Sequence, residues 1–295
     1  MPTSLDLKRR IRSVRNTQQI TRAMKFVAAA RLRRAQEKAF SSRPYARALS
    51  RVIRSIALRV PAEAHPLLRH RPEEHALLLV VSGERGLCGA FNANVIRRAM
   101  EFLRGRPTEK TEVITLGRKG RDTMRKQPWK VIAEYVDITA RPEHRQAAEI
   151  AHKISGLYES GEVDAVYIVF NEFKSVLAQT LTLEKLLPIE PENMQGPENV
   201  QGEAKAAETP VEYIYDGPPG EFLARLLPRY VESQVFRALA ESSASEHAAR
   251  MTAMDSATNN AGDLIDQLTL YMNKVRQAAI TKEIIEIVSG AASAG

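Results

Sequence analysis

The sequence predicts an α/β domain combined with long α-helices. In this architecture the N- and C-terminal helices form an antiparallel coiled coil, and an open α/β domain is inserted between them. Two observations support the prediction. Apolar residues near both ends recur at alternating steps of four and three, the period of a coiled-coil seam. The middle of the chain instead alternates short apolar runs with helical segments, the pattern of an open, mainly parallel sheet.

Residues 1–60 are predicted to be the N-terminal coiled-coil segment, with the helix itself over 4–58. Ser4 suits the N-cap, and a negative charge at Asp6 in the first turn interacts favourably with the helix dipole. Pro44 is expected to kink this helix, or to end it and start a second one. The predicted seam residues are Leu7, Ile11, Val14, Gln18 and Thr21 and, after a shift of frame, Tyr45, Leu49, Val52 and Ile56.

The α/β domain is predicted over residues 75–216, after a proline-bearing linker at 61–74. Apolar runs bounded by turn residues predict strands, and the segments between them predict helices. The strands are placed at 75–82, 111–117, 163–170 and 175–189, and the helices at 91–105, 118–126 and 143–158. Residues 191–210 are polar and poor in apolar side chains, so they are predicted to be a flexible insertion in this domain.

Residues 217–295 are predicted to be the C-terminal coiled-coil segment, with a helix from about residue 221 to 288. Its predicted seam residues are Leu264, Leu268, Tyr271, Val275 and Ala278. If the two long helices are flush at one end, the second overhangs the first by about 13 residues, or about 20 Å. The overhang carries Ile280, Ile284, Ile285, Ile287 and Val288, an apolar tip that this chain cannot cover and that therefore predicts a partner-binding surface.

Positive charge is concentrated in the first helix. Residues 1–60 hold 16 Lys or Arg against two acidic residues, whereas 61–220 hold 20 against 24, and 221–295 hold 7 against 9. Few acidic residues lie four positions away to neutralise these cations, so an anionic partner is expected. Nucleic acid is one candidate, but interleaved aromatic residues and a recognition module are missing. An acidic protein partner is therefore favoured.

Candidate catalytic and cofactor sites in the sequence are weak. The loop SGERGLCGAFN, residues 82–92, follows a predicted strand and precedes a helix, but its glycines match neither the dinucleotide nor the P-loop spacing. A tight strand-to-helix turn is therefore preferred to nucleotide binding. The single Cys88 excludes an intramolecular disulfide and is predicted to be a small packing residue rather than a nucleophile. The six histidines lack metal-ligand spacing, so no metal and no cofactor are expected.

Three segments closely resemble the γ subunit of F-type ATP synthases. They are RRIRSVRNTQQITRAMKFVAAARLRRAQ at 9–36, the loop at 82–92, and ARMTAMDSATNNAGDLIDQLTLYMNKVRQAAITKEIIEIVSGAA at 249–292. The resemblance covers the whole chain and is loosest at 190–210. It implies a non-catalytic central-stalk rotor, in which a coiled-coil shaft with a Rossmann-like α/β domain transmits rotation of the membrane c ring to catalytic β subunits. The implied partners are the α and β subunits, the ε subunit and the c ring, and no nucleic acid.

The resemblance also implies roles for individual residues. Contacts with β subunits are implied for Met24, Lys25, Arg250, Arg276, Gln277 and Thr281. Lys25 is expected to face outward from the seam. A foot near the c ring is implied at Tyr213, Tyr215 and Asp216. The apolar tip, with Ile284, Ile285, Ile287 and Val288, would turn in a hydrophobic sleeve formed by the α and β subunits, and acidic loops of the β subunits would meet the basic first helix.

Two features of the sequence indicate which members of the family the chain resembles. Chloroplast members carry a cysteine pair that switches the motor by redox, and the single Cys88 excludes this switch. The motif KRRIRSV lies close to the first residue, leaving no room for a mitochondrial transit peptide. A bacterial protein is therefore expected, with no transmembrane segment, on the cytoplasmic face of the plasma (inner) membrane. The alternatives are a basic coiled-coil nucleic-acid binder, which salt-dependent DNA binding would indicate, and a nucleotide-using α/β enzyme, which ATP binding by the isolated chain would indicate.

Overall fold

The computed structural model describes residues 3–57, 60–61, 65–190 and 218–293. In this part of the chain, one long helix precedes and another follows a region of alternating strands and helices. The elements are α1 (Ser4–Ala57), β1 (Ala76–Val81), α2 (Phe91–Arg104), β2 (Thr111–Leu116), α3 (Arg118–Met124), β3 (Lys130–Tyr135), α4 (His144–Glu159), β4 (Ala165–Phe173), β5 (Gln179–Leu187) and α5 (Pro219–Ser293). The predicted insertion at 191–210 lies outside the described residues.

The strands form one five-stranded sheet in the order β3-β2-β1-β4-β5. Strands β1 to β4 are parallel, and β5 returns antiparallel to β4. This mixed sheet, with long helices at both ends, confirms the predicted fold class. Strand β3 was not predicted. Its six residues are half-buried or exposed, so they lack the continuous apolar run that identifies the strands on either side of β1.

Both faces of the sheet are covered, because successive side chains of a strand point to opposite faces. On β1, Leu77 and Leu79 pack in the core that includes side chains of α1, α4 and α5. Leu78 and Val80 pack on the other face, in the core with side chains of α2 and Trp129. The strand is buried at every position, which explains its unbroken apolar sequence ALLLVV.

Among the buried and half-buried side chains of α1, fifteen follow one unbroken pattern of alternating four- and three-residue steps. They are Leu7, Ile11, Val14, Gln18, Thr21, Lys25, Ala28, Leu32, Ala35, Ala39, Ser42, Ala46, Leu49, Ile53 and Ile56. The predicted shift of frame is wrong, since Tyr45 is 55% exposed and the small Ala46 takes its place in the seam. Pro44 lies inside the helix and does not end it.

Tertiary contacts divide the chain into two compact units, and the smaller unit is an antiparallel helix pair. The larger unit, Ala29–Arg250, contains the sheet; the smaller unit combines Met1–Ala28 with Met251–Gly295. In the smaller unit, Gln18 Nε2 donates to the Thr258 carbonyl oxygen at 3.3 Å, and the hydroxyls of Thr21 and Thr258 are 2.8 Å apart. Lys25, further along α1, contacts Asp255, which comes earlier in α5. Residue numbers therefore rise on one helix as they fall on the other, which confirms the predicted antiparallel pairing.

The seam of α5 in the helix pair differs from the predicted one at several positions. The buried and half-buried residues in four- and three-residue steps are Met254, Thr258, Ala261, Ile265, Leu268, Met272 and Val275. Leu268 and Val275 were predicted correctly. Leu264, Tyr271 and Ala278 were predicted wrongly, since all three are exposed. Ile265 and Met272 follow Leu264 and Tyr271 directly, so the apolar pattern fits two frames and sequence alone favoured the wrong one.

Candidate partner-binding surfaces

A column of cations runs along one flank of α1 in the helix pair. Lys8, Arg15 and Arg22 are spaced seven residues apart, so they hold the same position relative to the seam. All three are exposed. Within the described part of the chain, none of them forms a hydrogen bond or an ion pair. The column therefore presents positive charge that an anionic partner can neutralise.

The other flank of α1 carries exposed apolar side chains. Ile20 and Val27 are 59% and 52% exposed and are also seven residues apart. Each cation of the column directly follows a seam residue, whereas Ile20 and Val27 each directly precede one. Successive residues of a helix are about 100° apart, so the two sets lie on opposite sides of the seam. The exposed Arg10 also directly precedes a seam residue, and the exposed Phe26 directly follows one, so the two flanks differ in their balance of charged and apolar side chains and neither is uniform.

Met24 and Lys25 are adjacent in sequence but differ in their position relative to the seam. Met24 is half-buried one position before the seam, beside the apolar flank. Lys25 is itself a seam residue, and its Nζ is 2.6 Å from Asp255 Oδ1 of α5. The expectation that Lys25 faces outward is therefore wrong, because the carboxylate of the neighbouring helix holds the ammonium group at the seam.

The last turns of α5 are uncovered. Val275 is the last half-buried residue, and all side chains from Arg276 to Ser289 are exposed, including those of Gln277 and Thr281. Ile284, Ile285, Ile287 and Val288 are 55%, 58%, 71% and 62% exposed. Four large apolar side chains at the end of one helix form a surface that suits a partner.

Arg250 is occupied by contacts within its own chain. Its side chain is paired with Glu246, and its Nη2 donates to the Gly86 carbonyl oxygen at 3.3 Å in the loop that follows β1. Only 8% of Arg250 is exposed. These contacts hold the 82–92 loop against α5, a function that was not predicted. The contact of Arg250 with a β subunit stays a prediction.

The place where open α/β sheets bind ligands is filled by α5. In such sheets the ligand crevice lies beyond the carboxyl ends of the strands where the chain order reverses, here between β1 and β4. A Cβ atom at Gly83, just after β1, would lie 2.8 Å from Glu246 Cδ, and Ser245 Oγ donates to the Asn171 carbonyl oxygen of β4 at 3.1 Å. Side chains of α5 therefore occupy the position of a ligand, which supports the interpretation of the glycine loop as a packed turn.

Burial shifts the titration of three groups around this contact. It raises the pKa of the Glu246 carboxyl, against the lowering effect of Arg250. Burial and the positive charges of Arg250 and Arg31 lower the pKa of His247 to about 4. Burial and the negative charge of Glu246 raise the pKa of the Cys88 thiol, which disfavours the thiolate that a nucleophile needs.

The predicted foot residues Tyr213, Tyr215 and Asp216 lie outside the described residues. Across the residues that the structure does describe, no group of three or more His, Cys, Asp or Glu side chains is arranged to hold a metal ion. Within the same residues, no helix combines the length and hydrophobicity needed to cross a membrane.

Sequence reasoning missed the separation of the two flanks. Cations do occur on several sides of the first helix, but the flank of Lys8, Arg15 and Arg22 was not distinguished, because the cations were not numbered relative to the seam. The seven-residue spacing of Lys8, Arg15 and Arg22 was the signal available. It also missed the contact of α5 with the glycine loop, which depends on the fold.

Comparisons with known proteins give one consistent family. A family model described as ATP synthase matches residues 3–294. The ATP synthase gamma chain of Solibacter usitatus is 50% identical over 299 residues, covering 100% of both chains, and that of Pelotomaculum thermopropionicum is 46% identical over 99% of both. A chain in the rotor of the Euglena gracilis mitochondrial ATP synthase has a similar fold, with a TM-score of 0.65 and 19% identity over 94% of this chain and 98% of that one.

Proposed function

Since this chain belongs to the ATP synthase gamma chain family, we propose that it is the central-stalk rotor of a proton-translocating F-type ATP synthase. In this function it performs no catalysis of its own. It turns with a membrane c ring inside a ring of α and β subunits. Each catalytic β subunit passes through its cycle as different sides of the rotor come to face it.

The observation that carries the proposal is the difference between the two flanks of the helix pair. Lys8, Arg15 and Arg22 offer a column of exposed charge on one side, and Ile20 and Val27 offer exposed apolar surface on the other. A fixed acidic loop on a surrounding subunit is attracted more strongly to the first flank than to the second. Rotation of the pair therefore changes what each surrounding subunit contacts, which a rotor requires.

The remaining surfaces take complementary functions in this proposal. Arg276, Gln277 and Thr281 are exposed where α1 ceases to cover α5, and they would hydrogen-bond to β subunits. The apolar tip, with Ile284, Ile285, Ile287 and Val288, would turn against a hydrophobic sleeve, because apolar contacts are non-directional and permit sliding. Tyr213, Tyr215 and Asp216 would contact the c ring, and the ε subunit would bind beside them.

This function places the chain at the cytoplasmic face of a bacterial plasma (inner) membrane, attached through the c ring. The test is a pull-down of the tagged chain from native membranes, followed by an ATPase assay of the eluate. Recovery of α and β subunits with ATP hydrolysis is the expected result. A chain that elutes alone, or with nucleic acid and no ATPase activity, would overturn the proposal.

A further inference from the structure

Three polar side chains connect the buried part of α5 to the sheet. Arg237, Glu241 and Ser245 are four residues apart, so they form one stripe along the helix. At 9%, 1% and 0% exposure they are buried, in a stretch of α5 whose other side chains are mostly buried too. Polar groups in such a position persist only when they are hydrogen-bonded.

Each member of the stripe has its own partner on the sheet. Arg237 forms an ion pair with Glu184 of β5. Glu241 Oε2 accepts a hydrogen bond from the Phe173 backbone N–H, the last residue of β4, at 3.1 Å. Ser245 Oγ donates to the Asn171 carbonyl oxygen of β4 at 3.1 Å. Successive turns of α5 are thus bonded to two neighbouring strands.

Arg43 of α1 completes the central contact. Its Nη2 is 2.7 Å from Glu241 Oε1 and 3.2 Å from the Phe173 carbonyl oxygen. Arg43 and Glu241 together therefore bind both backbone groups of Phe173. One buried ion pair joins the two long helices to the end of a sheet strand.

We infer that Glu241 and Arg43, supported by Arg237 and Ser245, fix the register of the long helices on the sheet and so carry torque between them. The inference rests on the proposed rotor function. Apolar packing resists separation of helix and sheet but has no preferred direction along or around the helix axis. Charge-assisted hydrogen bonds are directional and are lost when either partner shifts by an ångström or two. This stripe therefore opposes slippage of α5 under torque.

The test uses the complete ATP synthase in vesicles and measures protons pumped per ATP hydrolysed. Glu241→Gln keeps the shape of the side chain, but its amide cannot accept both from Arg43 and from the Phe173 N–H. Arg43→Lys keeps the charge but loses the second donor, Nε, which also binds Glu241 Oε1 at 3.0 Å. We expect the ratio to fall about threefold for Glu241→Gln and about twofold for Arg43→Lys, because slippage wastes hydrolysis without lowering its rate.

The matched control is Glu37→Gln. It removes an ion pair with Arg33 on the same helix α1, at 3.3 Å and with both side chains well exposed. This variant should keep the wild-type ratio. If these residues contributed only to stability, the Glu241 and Arg43 variants would yield less assembled enzyme, but that enzyme would pump as many protons per ATP as the wild type.

The outcomes separate the two proposals. If Glu241→Gln does not assemble, Arg43→Lys and Ser245→Ala decide, and Ser245→Ala removes only one neutral hydrogen bond. A wild-type ratio in the assembled variants, or an equal loss in Glu37→Gln, would overturn the register function while leaving the rotor function intact. A wild-type chain that does not assemble or pump would instead overturn the rotor function.

Discussion

Lys25 Nζ lies 2.6 Å from Asp255 Oδ1, across the seam of the antiparallel helix pair. The two side chains remain 37% and 46% exposed, so solvent screens their attraction. The pair is flanked by the Thr21–Thr258 contact, where two hydroxyls meet at 2.8 Å. Polar groups thus set the register of the two helices here, in place of large apolar knobs.

The Lys25–Asp255 pair predicts a charge-swap result. Lys25→Glu should destabilise the isolated chain by about 1 kcal/mol, because it places two carboxylates together at a half-exposed seam. Lys25→Glu combined with Asp255→Lys should restore most of that loss. The measurement is urea unfolding followed by circular dichroism. Equal losses in the single and double variants would show that the pair contributes nothing to stability.

Gly83 predicts a packing result with a neighbouring control. Gly83→Ala should cost about 2 kcal/mol of unfolding free energy, because the new Cβ would lie 2.8 Å from Glu246 Cδ and 3.1 Å from Asn92 Oδ1. Glu246 cannot move away cheaply, since Arg250 holds its carboxylate. Gly86→Ala, in the same loop but with open space around the new atom, should change stability by less than about 0.5 kcal/mol. Equal effects of the two substitutions would contradict the close contact of α5 with this loop.

His247 predicts a pH dependence of stability. Burial first, and the charges of Arg250 and Arg31 second, lower its pKa to about 4 from the ordinary 6.5. Below pH 6.5 the unfolded chain binds a proton that the folded chain binds only near pH 4. The contribution of His247 to the free energy of unfolding is therefore fully present above pH 6.5 and is lost as the pH falls towards 4.

The measurement is the unfolding free energy at pH 7 and pH 4.5, for the wild-type chain and for His247→Gln. The wild-type chain should lose about 2 to 3 kcal/mol more than the variant over this interval. Identical losses would mean that His247 is protonated as easily in the folded chain as in the unfolded one.

The exposed tip predicts a separation of assembly from folding. Deleting residues 283–295 should change the unfolding free energy of the isolated chain by less than about 0.5 kcal/mol, because the described side chains from Glu283 to Ser289 are all exposed. Capture of α and β subunits at equal concentration should fall about tenfold, since the apolar tip would lose its contact with them. Cooperative loss of the sheet in the deletion variant would contradict the uncovered tip.

On α1 the sequence predicted the first part of the seam from large apolar residues and failed at a small one. On α5 it failed between large neighbours, since it favoured Leu264 and Tyr271 whereas the seam residues are Ile265 and Met272. Leu7, Ile11 and Val14 were identified, whereas Ala46 was missed in favour of the larger Tyr45. The reason is physical: two long helices pack closely where their facing side chains are small, and an alanine on an exposed face has the same sequence signature. The same limit applies to β3, whose half-buried residues carry no strong apolar signal.

Some features of the candidate surfaces could be predicted from the sequence and others could not. The tip was predictable, because five large apolar residues within nine positions at a helix end cannot all be buried by one short partner helix. The contacts of Arg250 and Glu241 were not predictable, because their partners are backbone groups of a loop and a strand far away in sequence. Only the fold brings such partners together.

The most direct test of the rotor function is to observe rotation. A complex of this chain with the α and β subunits of its own enzyme would be fixed to a surface through the β subunits. A bead would be attached at Lys119→Cys on α3, in a Cys88→Ser background, where the side chain of residue 119 is exposed. We predict continuous rotation in one direction when ATP is added, which stops when ATP is removed. A stable, ATP-hydrolysing complex whose bead does not turn would contradict the function proposed for this chain.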